Sequence, residues 1–193
     1  LTRADTSSLM SVQQDDVSSC FAPLLGTRLN LLVLGTMPGQ KSLQLQQYYA
    51  HPRNALWPIL CAMVRRNKPS YSIHQTLDYD ERCKLVTDAG IGLWDVLASC
   101  QRPGSLDGQI IRNTEVPNAL PELISQHPEL TTIAFNGRMA ETLFKRHIQA
   151  RLPSSIIRIV SLPSTSPAMA SLSLEKKYQR WSEALQDGLK HCN

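Results

Sequence analysis

Most of the side chains able to do chemistry in this chain of 193 residues fall in four short polar stretches. The first runs Gly35-Thr-Met-Pro-Gly39 and closes with Tyr48-Tyr-Ala-His-Pro-Arg-Asn54. A glycine here lets the backbone approach a bound molecule closely, and Pro38-Gly39 forces a turn. Taken alone, the stretch also reads as an ordinary strand-to-helix loop in which Asn54 caps the helix. Tyr48 and Tyr49 could stack on a planar ligand or wedge a core beneath the loop. His51 stands before a proline, where histidine is usually structural. The second stretch holds Asp95, just after Trp94. An ionised carboxylate only accepts hydrogen bonds, so Asp95 can read a donor; equally, it can cap a loop or pair with Arg102 or Arg112. The third is Phe135-Asn-Gly137. The fourth sets the hydroxyls of Ser161, Ser164, Thr165 and Ser166 beside two prolines, with Met169 following. Such groups suit phosphate contacts or a plain solvent loop. Lys176, Lys177 and Arg180 read as a solvated helix face.

These stretches need elements to hold them. Leu31-Leu-Val-Leu34 is a buried-strand run ending at Gly35. Ile91 to Val96, Thr132 to Phe135 and Ile156 to Val160 are three more. Helical patterns lie between them: Ala55 to Arg66 with Pro58 in its first turn, Asp80 to Asp88, Pro117 to Ser125, and Gly137 to Gln149. Leu174, Tyr178, Trp181, Leu185 and Leu189 repeat every three or four residues and mark a final amphipathic helix. Strands alternating with helices argue an α/β fold with parallel strands. In such a sheet, sites lie at the carboxyl ends of the strands. The segments Gly35–Asn54, Asp95–Asn113, Asn136-Gly137 and Ser161–Ser171 should therefore meet on one edge.

Composition narrows the classes. Apolar residues are 42% and charged residues 19% of the chain, enough for a core and too few charges for disorder. A single domain over 1–193 is expected, with 1–19 as a loose, serine-rich arm. The net charge of +4 is compatible with a polyanionic partner without demanding one. The five cysteines, Cys20, Cys61, Cys83, Cys100 and Cys192, show neither a CxxC nor zinc or cluster spacing. Reduced thiols in a cytoplasm are expected, with no export signal, no membrane span and no metal. Neither GxGxxG nor GxxxxGK[ST] occurs, which disfavours a nucleotide-binding regulator.

The run Gly35 to Trp57 resembles the first motif of mismatch-specific uracil- and thymine-DNA glycosylases. GTMPG followed by YYAHPRNALW is more similar still to the hypoxanthine-DNA (deoxyinosine) glycosylase branch of the uracil-DNA glycosylase superfamily. Gly90-Ile-Gly-Leu-Trp-Asp-Val-Leu97 with Gly104-Ser-Leu-Asp107 resembles the second strand and loop, Phe135-Asn-Gly137 the third strand end, and Leu162-Pro-Ser-Thr-Ser-Pro167 the motif that grips DNA. The resemblance spans roughly residues 29 to 185.

It implies a three-layer αβα sandwich around a mainly parallel four-stranded sheet. It also implies a monofunctional DNA glycosylase that flips a deaminated base from duplex DNA, without cofactor and as a monomer; a bacterial protein of this kind would sit with the nucleoid. Uracil-specific relatives carry a catalytic Asp or Asn where Met37 stands, and a His where Leu162 stands. The resemblance therefore moves the catalytic role to Asn54 and points to hypoxanthine rather than uracil. Gly35, Met37, Tyr49, Asp95 and Phe135 are expected to hold the base. Ser161, Ser164, Thr165 and Ser166 are expected to contact phosphates, with Met169 as a wedge. Lys41 is the lone lysine on the first loop, so hydrolysis without a Schiff base is expected. Two alternatives remain: another lesion, such as mismatched uracil or xanthine, and a binding module that kept the fold without the chemistry.

Overall fold

A computed structural model describes residues 17–152 and 157–189, with only the helical backbone for 186–189. Four parallel strands form the centre: β2 (Leu31–Gly35), β3 (Ile91–Asp95), β6 (Thr132–Asn136) and β7 (Arg158–Leu162). Their order is β3-β2-β6-β7. All five residues of β2 are buried. A strand covered on both faces reads as a continuous apolar run, which is why Leu31 to Leu34 shows no alternation.

The pleat sends alternate side chains to opposite layers. Leu32, Leu34, Ile133 and Phe135 pack with Leu123, Leu143 and Phe144, from α5 (Leu120–Gln126) and α6 (Arg138–His147). Leu31, Val33, Leu93 and Ala134 pack on the other face with Leu56, Leu60, Val86 and Trp181. These come from α2 (Leu56–Arg65), α4 (Tyr79–Asp88) and α7 (Leu174–Leu189). The result is the three-layer αβα sandwich. The start of α4 is fixed by a capping box in which Asp78 accepts from the Glu81 N–H and Glu81 from the Asp78 N–H, both at 2.8 Å.

Several expectations change. The expected loose arm ends in a strand, β1 (Val17–Ser19), while 1–16 lies outside the described residues. The polar segment after Asp95 opens with β4 (Leu97–Gln101), which pairs antiparallel with β1 and with β5 (Val116–Pro117). Pro117-Asn118 therefore does not open a helix: Pro117 pairs with Leu97, and α5 begins at Leu120. The fourth strand runs two residues later than expected, and Ile156 lies outside the described residues. Two short helices were not anticipated, α1 (Gln40–Leu45) inside the first loop and α3 (Ile73–Thr76) before α4. Among the described residues, no helix is long and apolar enough to cross a membrane. Cys20, Cys61, Cys83 and Cys100 are free thiols, and Cys192 lies outside the described residues.

Candidate active site

The sheet register sets Gly35 beside Asp95 and Asn136 beside Leu162. The four polar stretches therefore begin along one edge, at the carboxyl ends of the strands. A Cβ placed on Gly35 would lie 2.5 Å from Asp95 Oδ1 and 2.7 Å from the Tyr49 hydroxyl. Only glycine leaves room for both atoms, so Gly35, Tyr49 and Asp95 converge on one point.

Tyr49 is held there at a cost. Its φ is +51°, a left-handed conformation that costs a non-glycine residue on the order of 1–3 kcal/mol. Its hydroxyl is buried and, among the described residues, makes no well-formed hydrogen bond, and its side chain packs against the core of Leu31, Val33 and Trp57. Burial pushes its ionisation well above the usual tyrosine range, and the Asp95 charge adds to this; the nearby Asn136 side chain opposes both. Tyr48, by contrast, belongs to the core. Its hydroxyl donates to Ala22 O at 3.0 Å, and its carbonyl accepts from the Trp57 indole at 2.8 Å.

Asp95 is 2% exposed, and its Oδ2 has no partner. Burial pushes its carboxyl from 3.8 up to about 7; Asp107 adds to the rise and Arg102 opposes it. Neither expected ion pair forms: among the described residues Asp95 has none, and Arg112 is exposed. The buried Arg102 instead donates to Pro38 O at 2.7 Å and Ser105 O at 3.1 Å, with Asp107 Oδ1 at 3.8 Å. It clasps the loop after β4 to the Pro38-Gly39 turn. Asp107 is itself pushed upward by burial, against a hydrogen bond from Thr36 and the Arg102 charge. Asn118 donates to the Asp95 carbonyl at 2.8 Å and fixes the strand end.

Asn54 is 8% exposed. Its Oδ1 accepts from the Leu56 N–H at 2.9 Å; the N-cap position is Ala55 rather than the expected Asn54, whose side chain instead bonds two residues ahead as an Asx-type turn. That bond also fixes which way the amide points. One lone pair on Oδ1 and the two Nδ2 donors remain for other partners. His51 serves the turn before it: its carbonyl accepts from the Asn54 N–H at 2.8 Å and its Nδ1 from the Arg53 N–H at 3.1 Å.

The fourth stretch is tied to the first through Thr165. The Ala55 N–H donates to Thr165 O at 3.0 Å. Asn136 takes the Thr165 N–H and donates to the Thr165 hydroxyl, both at 2.8 Å. The loop also presses on the end of β6. Gly137 has φ +102°, and a Cβ there would meet Ser164 Cβ at 3.1 Å. One connected set of contacts therefore runs from Asp95 and Gly35 through Tyr49 and Asn136 to Thr165 and Ala55, next to Asn54.

The remaining expected residues divide. Phe135 is 0% exposed and packs on Phe144 with ring centroids 4.9 Å apart. This corrects its expected contact with a base, because β-sheet alternation points it into the core with Ile133. Met37, at 7%, is also mainly core. Ser161 is exposed on β7 and bonds Glu141 of α6, away from the other hydroxyls. Thr165 is 0% exposed, so its hydroxyl is an internal anchor rather than a phosphate contact. Ser164 and Ser166 are partly exposed, and Met169 is 38% exposed on the loop. Lys176 and Arg180 face solvent, but Lys177 does not. It is 4% exposed, its ammonium donates to Ser166 O at 3.2 Å, and burial lowers its pKa. Asn136, Arg102, Asn118 and Lys177 are the supporting residues that sequence reasoning missed. For Lys177 a signal existed, since it stands three residues after Leu174 and four before Trp181, on the apolar stripe.

Comparison with known proteins extends the geometry. A family model of the uracil DNA glycosylase superfamily matches residues 23–187. A protein named hypoxanthine DNA glycosylase from Methanosarcina barkeri is 31% identical over 118 residues, covering 61% of this chain and 70% of the relative. Its namesake from Methanosarcina acetivorans is 33% identical over 120 residues, covering 62% and 71%. The solution NMR structure of a candidate uracil DNA glycosylase from Methanosarcina acetivorans superposes with a TM-score of 0.71 at 28% identity, covering 91% of this chain and 99% of that one.

Proposed function

The chain belongs to the uracil DNA glycosylase superfamily, and from that footing we propose that it removes hypoxanthine from DNA, hydrolysing the N-glycosidic bond to leave an abasic site. The observation that carries this reading is the buried carboxyl of Asp95, packed with Tyr49 against Gly35 and, among the described residues, without a partner on its Oδ2. A buried acceptor left without a donor costs about 1–3 kcal/mol. Hypoxanthine supplies the missing donor at N1–H, whereas adenine presents a bare N1 that an ionised carboxylate repels. The substrate named for the Methanosarcina relatives supports the same choice.

In this mechanism the damaged nucleotide swings out of the duplex, at a few kcal/mol and less when it is mispaired. The base enters beside Gly35 and Tyr49, whose ring offers a stacking face worth about 1–3 kcal/mol. As the bond between C1′ and the base nitrogen breaks, its electron pair leaves with the base and the sugar gains oxocarbenium character. Asn54 takes no proton near neutral pH. Its work is to hold a water and to set its amide dipole against the developing positive charge. The water oxygen then bonds C1′ and gives up a proton, which through solvent neutralises the base that left with the bonding pair. Ser164, Ser166 and Met169 present the loop to the duplex, while Thr165 and Lys177 hold that loop in place.

The test is a duplex oligonucleotide carrying one deoxyinosine, incubated with purified protein and then cleaved with alkali. Hypoxanthine release, unchanged by chelator and abolished in Asn54→Ala with duplex binding retained, is the expected result. Binding without release by the wild type would identify a binding module instead. Release of uracil in preference to hypoxanthine would overturn the lesion assignment.

A further inference from the structure

Two buried polar atoms without partners, the Tyr49 hydroxyl and Asp95 Oδ2, belong to side chains that meet at Gly35. Among the described residues neither atom makes a well-formed hydrogen bond, to the other or elsewhere; Asn136 is the one side chain that bears on the hydroxyl. Leaving either atom empty is costly, and Tyr49 takes up a left-handed backbone to reach this place. A phenol donates a hydrogen bond, whereas a carboxylate only accepts. The pair therefore presents one donor and one acceptor side by side.

Deamination creates the complementary edge. Adenine and cytosine carry an amino donor next to a bare ring nitrogen, an acceptor. Their deaminated products carry a carbonyl acceptor next to a ring N–H donor. The order of donor and acceptor is reversed by the damage itself.

We infer that Tyr49 and Asp95 together read this reversed edge, with the Tyr49 hydroxyl donating to the exocyclic oxygen and the Asp95 carboxylate accepting from the adjacent ring N–H. The inference rests on the glycosylase reading and deepens it. The substrate class becomes bases with a carbonyl beside a ring N–H, with hypoxanthine as the purine member formed from adenine. Adenine fails at the ionised form of Asp95, which has no proton to offer its N1. Guanine shares the edge, but its pairing with cytosine makes it costly to extrude. Gly35, with no Cβ, lets both readers close on the strand end. Burial, and then the Asp107 charge, oppose the ionisation of Asp95, and Arg102 favours it.

Two measurements on the wild type and Tyr49→Phe test the reader. The first is single-turnover excision from duplexes carrying hypoxanthine or its 6-thio analogue, whose sulfur is a poor acceptor. Losing one such hydrogen bond should slow the wild type about 5- to 150-fold on the thio base and slow Y49F by a similar factor on hypoxanthine. Y49F should then barely distinguish oxygen from sulfur. The second is equilibrium binding to uncleavable duplexes carrying 2′-fluoro-deoxyinosine or 2′-fluoro-deoxyadenosine. The wild type should prefer the former, and Y49F should lose most of that preference. The melting temperature of Y49F should fall little, because the removed hydroxyl makes no well-formed hydrogen bond among the described residues. Wild-type rates in Y49F, or an undiminished sulfur penalty, would refute the reader and leave Tyr49 as a stacking ring. A binding preference that Y49F abolishes, in a protein that excises nothing, would sustain the reader and overturn the glycosylase reading. No binding preference in the wild type would overturn the reader.

Discussion

Replacing Asp95 with asparagine should make the protein more stable above neutral pH, by an amount that depends on pH. Burial raises the carboxyl from 3.8 to about 7, which corresponds to about 4 kcal/mol acting against the folded state once the group is ionised. The folded state holds its proton to higher pH than the unfolded chain does. Between about pH 4 and 7 the folded state therefore binds more protons, and stability falls as pH rises. This contribution is fully present below the unfolded value, is lost through about 7, and stays lost above it. Asp95→Asn removes the titration but leaves an unsatisfied buried amide, at about 1–3 kcal/mol. The variant should be equal to or less stable than the wild type near about pH 4, and more stable by roughly 1–3 kcal/mol near about pH 8. For a chain of this size that gain is a rise in Tm of about 2–12 °C. Urea unfolding followed by tryptophan fluorescence across this range gives the difference at each pH. A difference that does not change with pH would refute the reasoning, because it would mean that Asp95 does not titrate between the folded and unfolded values.

The other predictions use the same site. Gly35→Ala should fold, losing about 1–3 kcal/mol to overpacking, while hypoxanthine excision collapses because the methyl displaces Asp95 and Tyr49; a wild-type single-turnover rate would show that these two side chains do not read the base. Lys177→Met should keep the fold and weaken duplex binding about 5- to 10-fold through loss of the bond to Ser166. The salt dependence of its binding should not change, since the ammonium is spent inside the protein; a slope reduced by about one would mean that Lys177 meets a phosphate directly. Preference for hypoxanthine over adenine in the binding assay should narrow as pH falls below about 7, because a protonated Asp95 can donate to adenine N1. Excision of hypoxanthine that instead rises as pH falls through this range would assign Asp95 to protonating the leaving base.

The parallel strands were legible because runs such as Leu31 to Leu34 are buried on both faces, and few other structures hide four consecutive branched apolar residues. Their strand ends then located the site, since α/β topology fixes which edge is open. The small sheet of β1, β4 and β5 was not legible. Its strands are two to five residues long, and residues such as Ser99 and Gln101 pair through backbone alone. Phe135 was misplaced because its neighbours in the motif drew it toward the site, although its position two residues from Ile133 assigns it to the core. Thr165 looked like its serine neighbours; what distinguishes it is Asn136, a partner 29 residues away. Local chemistry names the polar groups, but only distant partners decide which of them are satisfied.

That distinction bears on function. Among the described residues, six buried side-chain polar atoms lack a partner. Three of them, Asn30 Oδ1, His74 Nε2 and His147 Nε2, lie singly on separate segments, and a fourth, Arg102 Nε, borders the site on the loop after β4. The other two belong to side chains that meet at Gly35. Around them other buried groups are bonded: Asn118 to the Asp95 carbonyl and Thr165 to Asn136. A fold that satisfies the frame of a site while leaving two of its facing atoms empty is less stable than one that filled them with an apolar pair. The strained backbone of Tyr49 adds to the same cost at the same place. Three independent penalties on one point are accounted for together if a ligand supplies the missing donor and acceptor there. A packing defect has no reason to combine them.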